Sequence, residues 1–263
     1  MPVTNITSAD GTRLAARCSG RGSPLVLVHG ANGDIDTFVP IEAPLADRHT
    51  VWVYSRRGRG GSGDGPDYGL GREVEDVMAV LDAAGNSAHL LGHSGGAIYS
   101  LIAAMETSSL RSLTLYEPPL NIDGLATSGI DQTRSAVDAG DLDRALDVVL
   151  SSVGVVDAEV QVLRSVEPVW TRLRAAVRQV PRELGVVDEV RGRLQAVQPP
   201  DVPTLYLYGE DTDASLFLDR GEVAAWLPRA RLHGLPGQRH LAFVFDPTSF
   251  AEAVLEFTTA HDN

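Results

Sequence analysis

Lysine is missing from this chain. All 22 of its basic residues are arginine, set against 35 Asp and Glu, for a net charge of −13. No arginine-rich run stands out, and a net-acidic surface disfavours nucleic acid and anionic membrane as partners. It does not restrict a small-molecule substrate, because a pocket can differ from the mean surface. Cysteine is almost as scarce. Cys18 stands alone, which excludes an intramolecular disulfide and any Cys-x-x-Cys metal or redox pair. It reads as a small, semi-buried residue of an early strand. No apolar run approaches 18 residues, so no membrane span is expected. Met1 to Asn5 lacks the charged-then-apolar pattern of a signal peptide, and the expected location is cytoplasmic. Internal repeats, low-complexity tracts and long linkers are absent.

What is present is 263 residues, 43% of them apolar, enough for one sizeable core or one α/β domain with an insertion. Val3 to Thr7 and Arg13 to Arg17 read as an opening hairpin around Asp10-Gly11. Leu25 to Val28 is a continuous apolar run, the mark of a strand buried on both faces, and it ends in His29-Gly30-Ala31-Asn32-Gly33. A short helix over Phe38 to Arg48 and a strand over Thr50 to Ser55 follow. A helix spans Leu70 to Ala84, with Val74, Val77, Met78 and Leu81 at helical spacing, and Gly85 stops it. His89 to Leu91 and Leu113 to Tyr116 are further strands, with an apolar helix over Ala97 to Met105 between them. Strand and helix in alternation argue a mostly parallel sheet covered on both faces.

The pattern changes at 120–198. Strand signals stop, and helices are predicted at Asp131 to Ala139, Leu142 to Val153, Ala158 to Val166, Val169 to Val180 and Val186 to Val197. A strand (Thr204 to Tyr208), a helix (Leu216 to Leu227), a strand (Ala230 to Leu235) and a closing helix (Thr248 to Thr259) then resume the α/β order. The expected organisation is a core of 1–119 and 199–263 with a helical cap of 120–198. An insertion at the carboxyl ends of the strands sits where such sheets bind ligands, the natural place for a lid.

Between the strand and the tight helix start lies Gly92-His93-Ser94-Gly95-Gly96, a Gly-x-Ser-x-Gly turn. About 0.1 such matches are expected by chance in a chain this long, so the surrounding strand and helix signals matter more than the motif. A serine on so sharp a turn is held in a strained conformation, and the glycines remove side chains that would collide. A second glycine pattern, Gly58, Gly60 and Gly63, fits the letters of a dinucleotide fingerprint. It leads into another glycine-rich loop rather than a helix, so the nucleotide reading is set aside.

A neutral hydroxyl needs a base in reach, and the base needs an orienting partner. Of seven histidines, His240 has the best context, in Leu235-Pro236-Gly237-Gln238-Arg239-His240 between the last strand and the last helix. His29 and His93 sit in turns beside the sheet. For the acid, Glu117 and the cluster Glu210, Asp211 and Asp213 each follow a strand and each give the order Ser, acid, His. A carboxylate between a buried strand and Pro118-Pro119 needs a partner, whereas the later cluster also reads as a solvated helix cap. Backbone donors for a developing oxyanion are expected at Gly95 and at Ala31. Trp170, with Leu163 and Val166 nearby, is a candidate apolar wall for the substrate.

Together these features resemble the α/β-hydrolase superfamily, nearly end to end. The motifs that carry the likeness are Leu25 to Gly30, Ser55 to Ser62, Gly92 to Gly96 and Gly237 to His240. The resemblance implies an α/β-hydrolase fold, a mostly parallel eight-stranded sheet flanked by helices with an inserted helical cap. It also implies a Ser-His-acid triad that needs no cofactor and no metal. Many members place the acid as Gly-x-x-Asp, but here the position after Gly209-Glu210-Asp211 holds Thr212. Tyr116-Glu117-Pro118-Pro119 instead resembles a subset, some lactone hydrolases among it, with a glutamate after the earlier strand. The expectation is therefore Ser94, His240 and Glu117, acting on an ester or lactone of a small, largely apolar molecule. Carbon–carbon bond hydrolases, non-hydrolytic biosynthetic enzymes and receptor-like binding proteins use similar scaffolds. Substrate identity and oligomeric state stay open.

Overall fold

The apolar strands sort their residues by parity. In β3 (Ser23–Val28), Leu25 and Leu27 face one side of the sheet and Val26 and Val28 the other. Leu90 and Leu91 of β5 (Ala88–His93) divide in the same way, and in β7 (Thr204–Gly209) Leu205 and Leu207 oppose Tyr206. Side chains alternate along a strand, so a strand covered on both faces must be apolar at every position. The computed structural model describes residues 2–85, 87–121, 129–196, 199–212, 217 and 220–262.

With β1 (Thr4–Thr7), β2 (Arg13–Gly20), β4 (His49–Tyr54), β6 (Leu110–Tyr116) and β8 (Ala230–Leu235), the sheet has eight strands in the order β1-β2-β4-β3-β5-β6-β7-β8. The β1–β2 and β2–β4 pairs are antiparallel and the others parallel. The order reverses beside β3, and the turn after β5 opens at this switch point, where such sheets form a crevice. Helices α1 (Val39–Ala46), α2 (Leu70–Ala84) and α3 (Gly95–Glu106) cover the sheet: α2 and α3 pack on the Val26 face, α1 on the Leu25 face.

Between β6 and β7 lies a helical insert: α4 (Ile130–Asp138), α5 (Leu142–Ser152), α6 (Asp157–Ser165), α7 (Glu167–Ala176), α8 (Val180–Leu184) and α9 (Val187–Ala196). Its inward residues, among them Leu146, Val149, Leu150, Leu163 and Trp170, form an apolar cluster of their own. The single helix expected over Val169 to Val180 is broken. A 3₁₀ turn at Val177–Gln179 separates α7 from α8, and Pro181 sits in the first turn of α8, where its missing N–H costs nothing. After β7 come α10 (Arg220–Trp226), α11 (Ala242–Phe245) and α12 (Pro247–Thr259). The four residues of α11 are too few to show a helical period in sequence. Among the described residues no helix is long and apolar enough to cross a membrane.

Candidate active site

Ser94 ends β5 and caps α3 with φ 53° and ψ −126°, a backbone conformation that costs on the order of 1–3 kcal/mol in a non-glycine residue. The turn is as tight as the motif suggests. A Cβ on Gly92 would lie 2.5 Å from Ala97 Cα, and one on Gly96 would lie 2.4 Å from the Val28 carbonyl oxygen. Both positions exclude any side chain. The Ser94 N–H donates to the Tyr116 carbonyl at 2.9 Å, which ties the elbow to β6.

Glu117 follows Tyr116 directly and is also left-handed, with φ 45°. Its carboxylate is buried and fully engaged. Oε2 lies 2.6 Å from His240 Nδ1, while Oε1 accepts the Gly209 N–H at 2.8 Å and the Thr212 hydroxyl at 2.6 Å. A carboxylate only accepts, so His240 carries its proton on Nδ1 and keeps Nε2 as a lone pair. Ser94 and His240 line the same cavity. Among the described residues no hydrogen bond joins the two side chains, a contact that commonly tightens only around substrate.

The loop bearing His240 is pinned from two sides. The Tyr116 hydroxyl donates to the Arg239 carbonyl and accepts the Ala242 N–H at 3.1 Å. His93 Nε2 meets the His240 carbonyl at 3.1 Å, with the two rings 4.6 Å apart. Gly209 permits the approach, since a Cβ there would lie 2.3 Å from the Gln238 carbonyl oxygen. Burial holds His93 well below the ordinary imidazole value, so it stays neutral. Glu210 and Asp211 are exposed, and the Asp211 carboxylate lies 3.6 Å from Arg239. Asp213 lies outside the described residues. At the far end of the sheet, His49 and His89 bond to Thr258 and Ser112 at 2.8 and 2.7 Å.

The Gly30-Ala31 loop is held from behind by arginines. His29 Nε2 accepts the Arg56 N–H at 3.0 Å, which places its proton on Nδ1, 2.8 Å from the Gly30 carbonyl. Arg56 Nη1 donates to the same carbonyl at 3.2 Å, and Arg59 Nε to the Ala31 carbonyl at 3.1 Å. The Gly30 carbonyl and the Ala31 N–H belong to one trans peptide and point oppositely. A cation on the carbonyl therefore both aims and polarises the N–H. Arg56 is fully buried, forks onto Glu73 at 2.7 and 3.0 Å, and lies 4.5 Å over the Tyr99 ring.

This arginine loop also carries the insert. Glu183 pairs with Arg56 at 3.1 Å and with Arg59, Gln179 donates to the Gly58 carbonyl at 3.0 Å, and Arg182 bonds Asp64 at 2.7 Å. The Gly58 and Gly60 turn is thus filled by its own arginines and by the insert. Gly58, Gly60 and Gly63 carried a sequence signal, but Glu73, the partner of Arg56, and Asp76, which accepts from Arg57 at 2.7 and 2.8 Å, did not register. Their signal is a carboxylate beside each apolar position of α2, next to Val74 and Val77, where a buried charge needs a cation.

The cavity over Ser94 has a volume of about 280 Å3. Its floor is Gly30, Ala31, His93, Ser94 and His240, and its walls are mostly aliphatic, with Val149, Leu150, Leu163, Val166, Val169 and Leu173 beside Phe243, while Asn32, Asp34, Asp36, Thr37 and Arg172 add polar side chains. Gly95 begins α3 directly after the serine. Leu163 and Val166 stand in the wall as expected, but Trp170 does not. It lies inside the insert's own core, its indole N–H donating to Asp143 at 2.7 Å and its ring under Arg164. Thr212, Gly209 and Tyr116, which hold the acid and the histidine, were not foreseen as site residues.

The sequence profile of the Alpha/beta hydrolase family matches residues 25–254. Over 265 residues the chain is 26% identical to 2-hydroxymuconate semialdehyde hydrolase of Pseudomonas sp. strain CF600, covering 97% of this chain and 93% of that protein. A 122-residue stretch is 37% identical to N-formylmaleamate deformylase of Pseudomonas putida, covering 44% of this chain and 46% of that enzyme, so this match spans about half its length. An alpha/beta hydrolase from Sphaerobacter thermophilus superposes with a TM-score of 0.79 at 30% identity, over 97% of this chain and 100% of that one.

Proposed function

Since the chain belongs to the alpha/beta hydrolase family, we propose that it is a serine hydrolase cleaving a carboxylic ester or lactone of a small, largely apolar molecule. Ser94 attacks the carbonyl as His240 Nε2 takes its proton. Glu117 holds the imidazole in that tautomer and stabilises the imidazolium. The Ala31 and Gly95 N–H groups receive the oxyanion, with Arg56 behind the first of them. Protonated His240 then gives its proton to the leaving alkoxide, and an acyl-enzyme remains on Ser94. Water, deprotonated by His240, hydrolyses it to release the acid and restore the serine. The insert closes over this chemistry as a lid.

The observation that carries the reading is the buried 2.6 Å contact of Glu117 with Nδ1 of His240, a histidine that lines one cavity with a strained Ser94. The test is intact-protein mass after treatment with a fluorophosphonate, which marks an activated serine. One adduct on the wild type that is lost in Ser94→Ala supports the proposal, and a folded wild type that takes none refutes it. The full-length similarity to a semialdehyde hydrolase favours a second reading, carbon–carbon bond hydrolysis with the same triad. A labelled serine with no turnover across a panel of esters and lactones points there.

A further inference from the structure

Among the described residues five large apolar side chains stand exposed: Val3, Val39, Val156, Val162 and Val166. Single exposed valines need no explanation, but three of these five line the catalytic cavity. Val39 opens α1 on the core and is 53% exposed. Val162 and Val166 lie in and just after α6 on the insert, at 52% and 47%. Two separate elements thus place exposed valines on one cavity, whose lining also includes Leu163, Val169, Leu173 and Ser94.

The cavity's 280 Å3 holds roughly nine water-sized groups at ~30 Å3 each. The insert adds only aliphatic side chains and Arg172 to the wall, a surface suited to a flexible chain rather than a flat ring. Arg172 lies 3.5 Å from Asp34 and 4.0 Å from Asp36, so this cation is already opposed by two carboxylates.

We infer that the substrate carries a straight aliphatic chain longer than the cavity holds, which leaves the site between Val39 and the Val162–Val166 pair. This rests on the serine-hydrolase reading for the position of the reacting carbonyl. The experiment measures binding of neutral 2-alkanones, from 2-hexanone to 2-dodecanone, to Ser94→Ala by calorimetry. The same series is repeated with Val39→Thr, Val162→Thr and Val166→Thr added together. These substitutions keep side-chain shape at exposed positions, and circular dichroism checks the fold.

Inside the cavity, affinity is expected to rise up to about four-fold per methylene. It continues to rise, about 1.5- to 2-fold per methylene, past nine heavy atoms, where half-exposed rim contacts take over. The triple threonine variant flattens this outer part and weakens the short ketones by a smaller factor than the long ones. A plateau or decline at nine heavy atoms in the valine background overturns the inference. So does an equal loss at every length, or a dimer at working concentration that the triple variant dissociates, because a second copy then covers the rim. Fluorophosphonate labelling of the wild type is read in parallel. Labelling without chain dependence sinks the chain alone, while chain dependence without labelling keeps the chain and sinks the hydrolase reading.

Discussion

Glu117→Gln is the sharpest test of the acid, because the structure dictates how the amide must sit. Oε1 of Glu117 faces a backbone donor, the Gly209 N–H at 2.8 Å, which cannot turn into an acceptor. A glutamine must put its carbonyl oxygen there, so its NH2 lands on His240 Nδ1, now 2.6 Å from Oε2. That forces the imidazole proton onto Nε2, the nitrogen that must accept from Ser94. A wrong-tautomer triad loses on the order of 10⁴ in turnover, about 5 kcal/mol of barrier. Asp211→Asn should change the rate less than about two-fold, since its exposed carboxylate faces Arg239 and not His240. The assay is the second-order rate of fluorophosphonate labelling, followed by mass, alongside kcat/KM for any ester that turns over. A Glu117→Gln enzyme within ten-fold of wild type, or an Asp211→Asn enzyme as slow as it, refutes the assignment.

Three further outcomes are expected. Arg56→Met leaves Glu73 buried and unpaired, which should cost about 3–5 kcal/mol of stability and lower kcat by roughly ten-fold or more with KM little changed. Adding Glu73→Gln should restore the Tm but not kcat, and recovery of both would reduce Arg56 to a structural role. Burial holds His29, His49, His89 and His93 below the ordinary imidazole value, so below about pH 6.5 the unfolded chain binds protons that the native chain refuses. Stability is therefore full above that pH and falls beneath it, by up to about 1.4 kcal/mol per pH unit for each histidine, and a Tm flat from pH 8 to 5 contradicts this. Trp170→Phe should lower the Tm through the lost bond to Asp143 yet leave kcat/KM within about two-fold. A selective loss of kcat/KM would return Trp170 to the substrate wall.

The fold was legible because its signals are local. Continuous apolar runs such as Leu25 to Val28 mark strands covered on both faces, and Gly85 stops α2 where a helix cannot go on. The helical insert showed itself in the loss of strand signal after Tyr116 and the resumption at Thr204. Ser94 was readable because a turn so tight admits only glycine at 92 and 96, a steric demand that sequence records directly. Glu117 and His240 are 123 residues apart, and their contact was reachable only through strand order, since they follow the carboxyl ends of β6 and β8, parallel strands with β7 between them.

The wall was legible only in part and the supports were not, for a different reason. Trp170 and Leu163 both face inward from insert helices, and nothing in helical spacing says whether inward means the cavity or the insert's own core. The longer indole, with a polar N–H to satisfy, goes to Asp143, and the plain aliphatics are left for the wall. Thr212 shows how a departure from a pattern is absorbed. The position where the family resemblance implies an acid holds a hydroxyl, and that hydroxyl donates to the Glu117 carboxylate at the end of the neighbouring strand. With the Gly209 N–H it occupies the oxygen that His240 leaves free, so the carboxylate has no reason to rotate away from the imidazole. A threonine there carries no sequence signal until the carboxylate beside it is known. Read in isolation Thr212 looks like a missing acid, whereas in the fold it helps to hold the Glu117 carboxylate against His240.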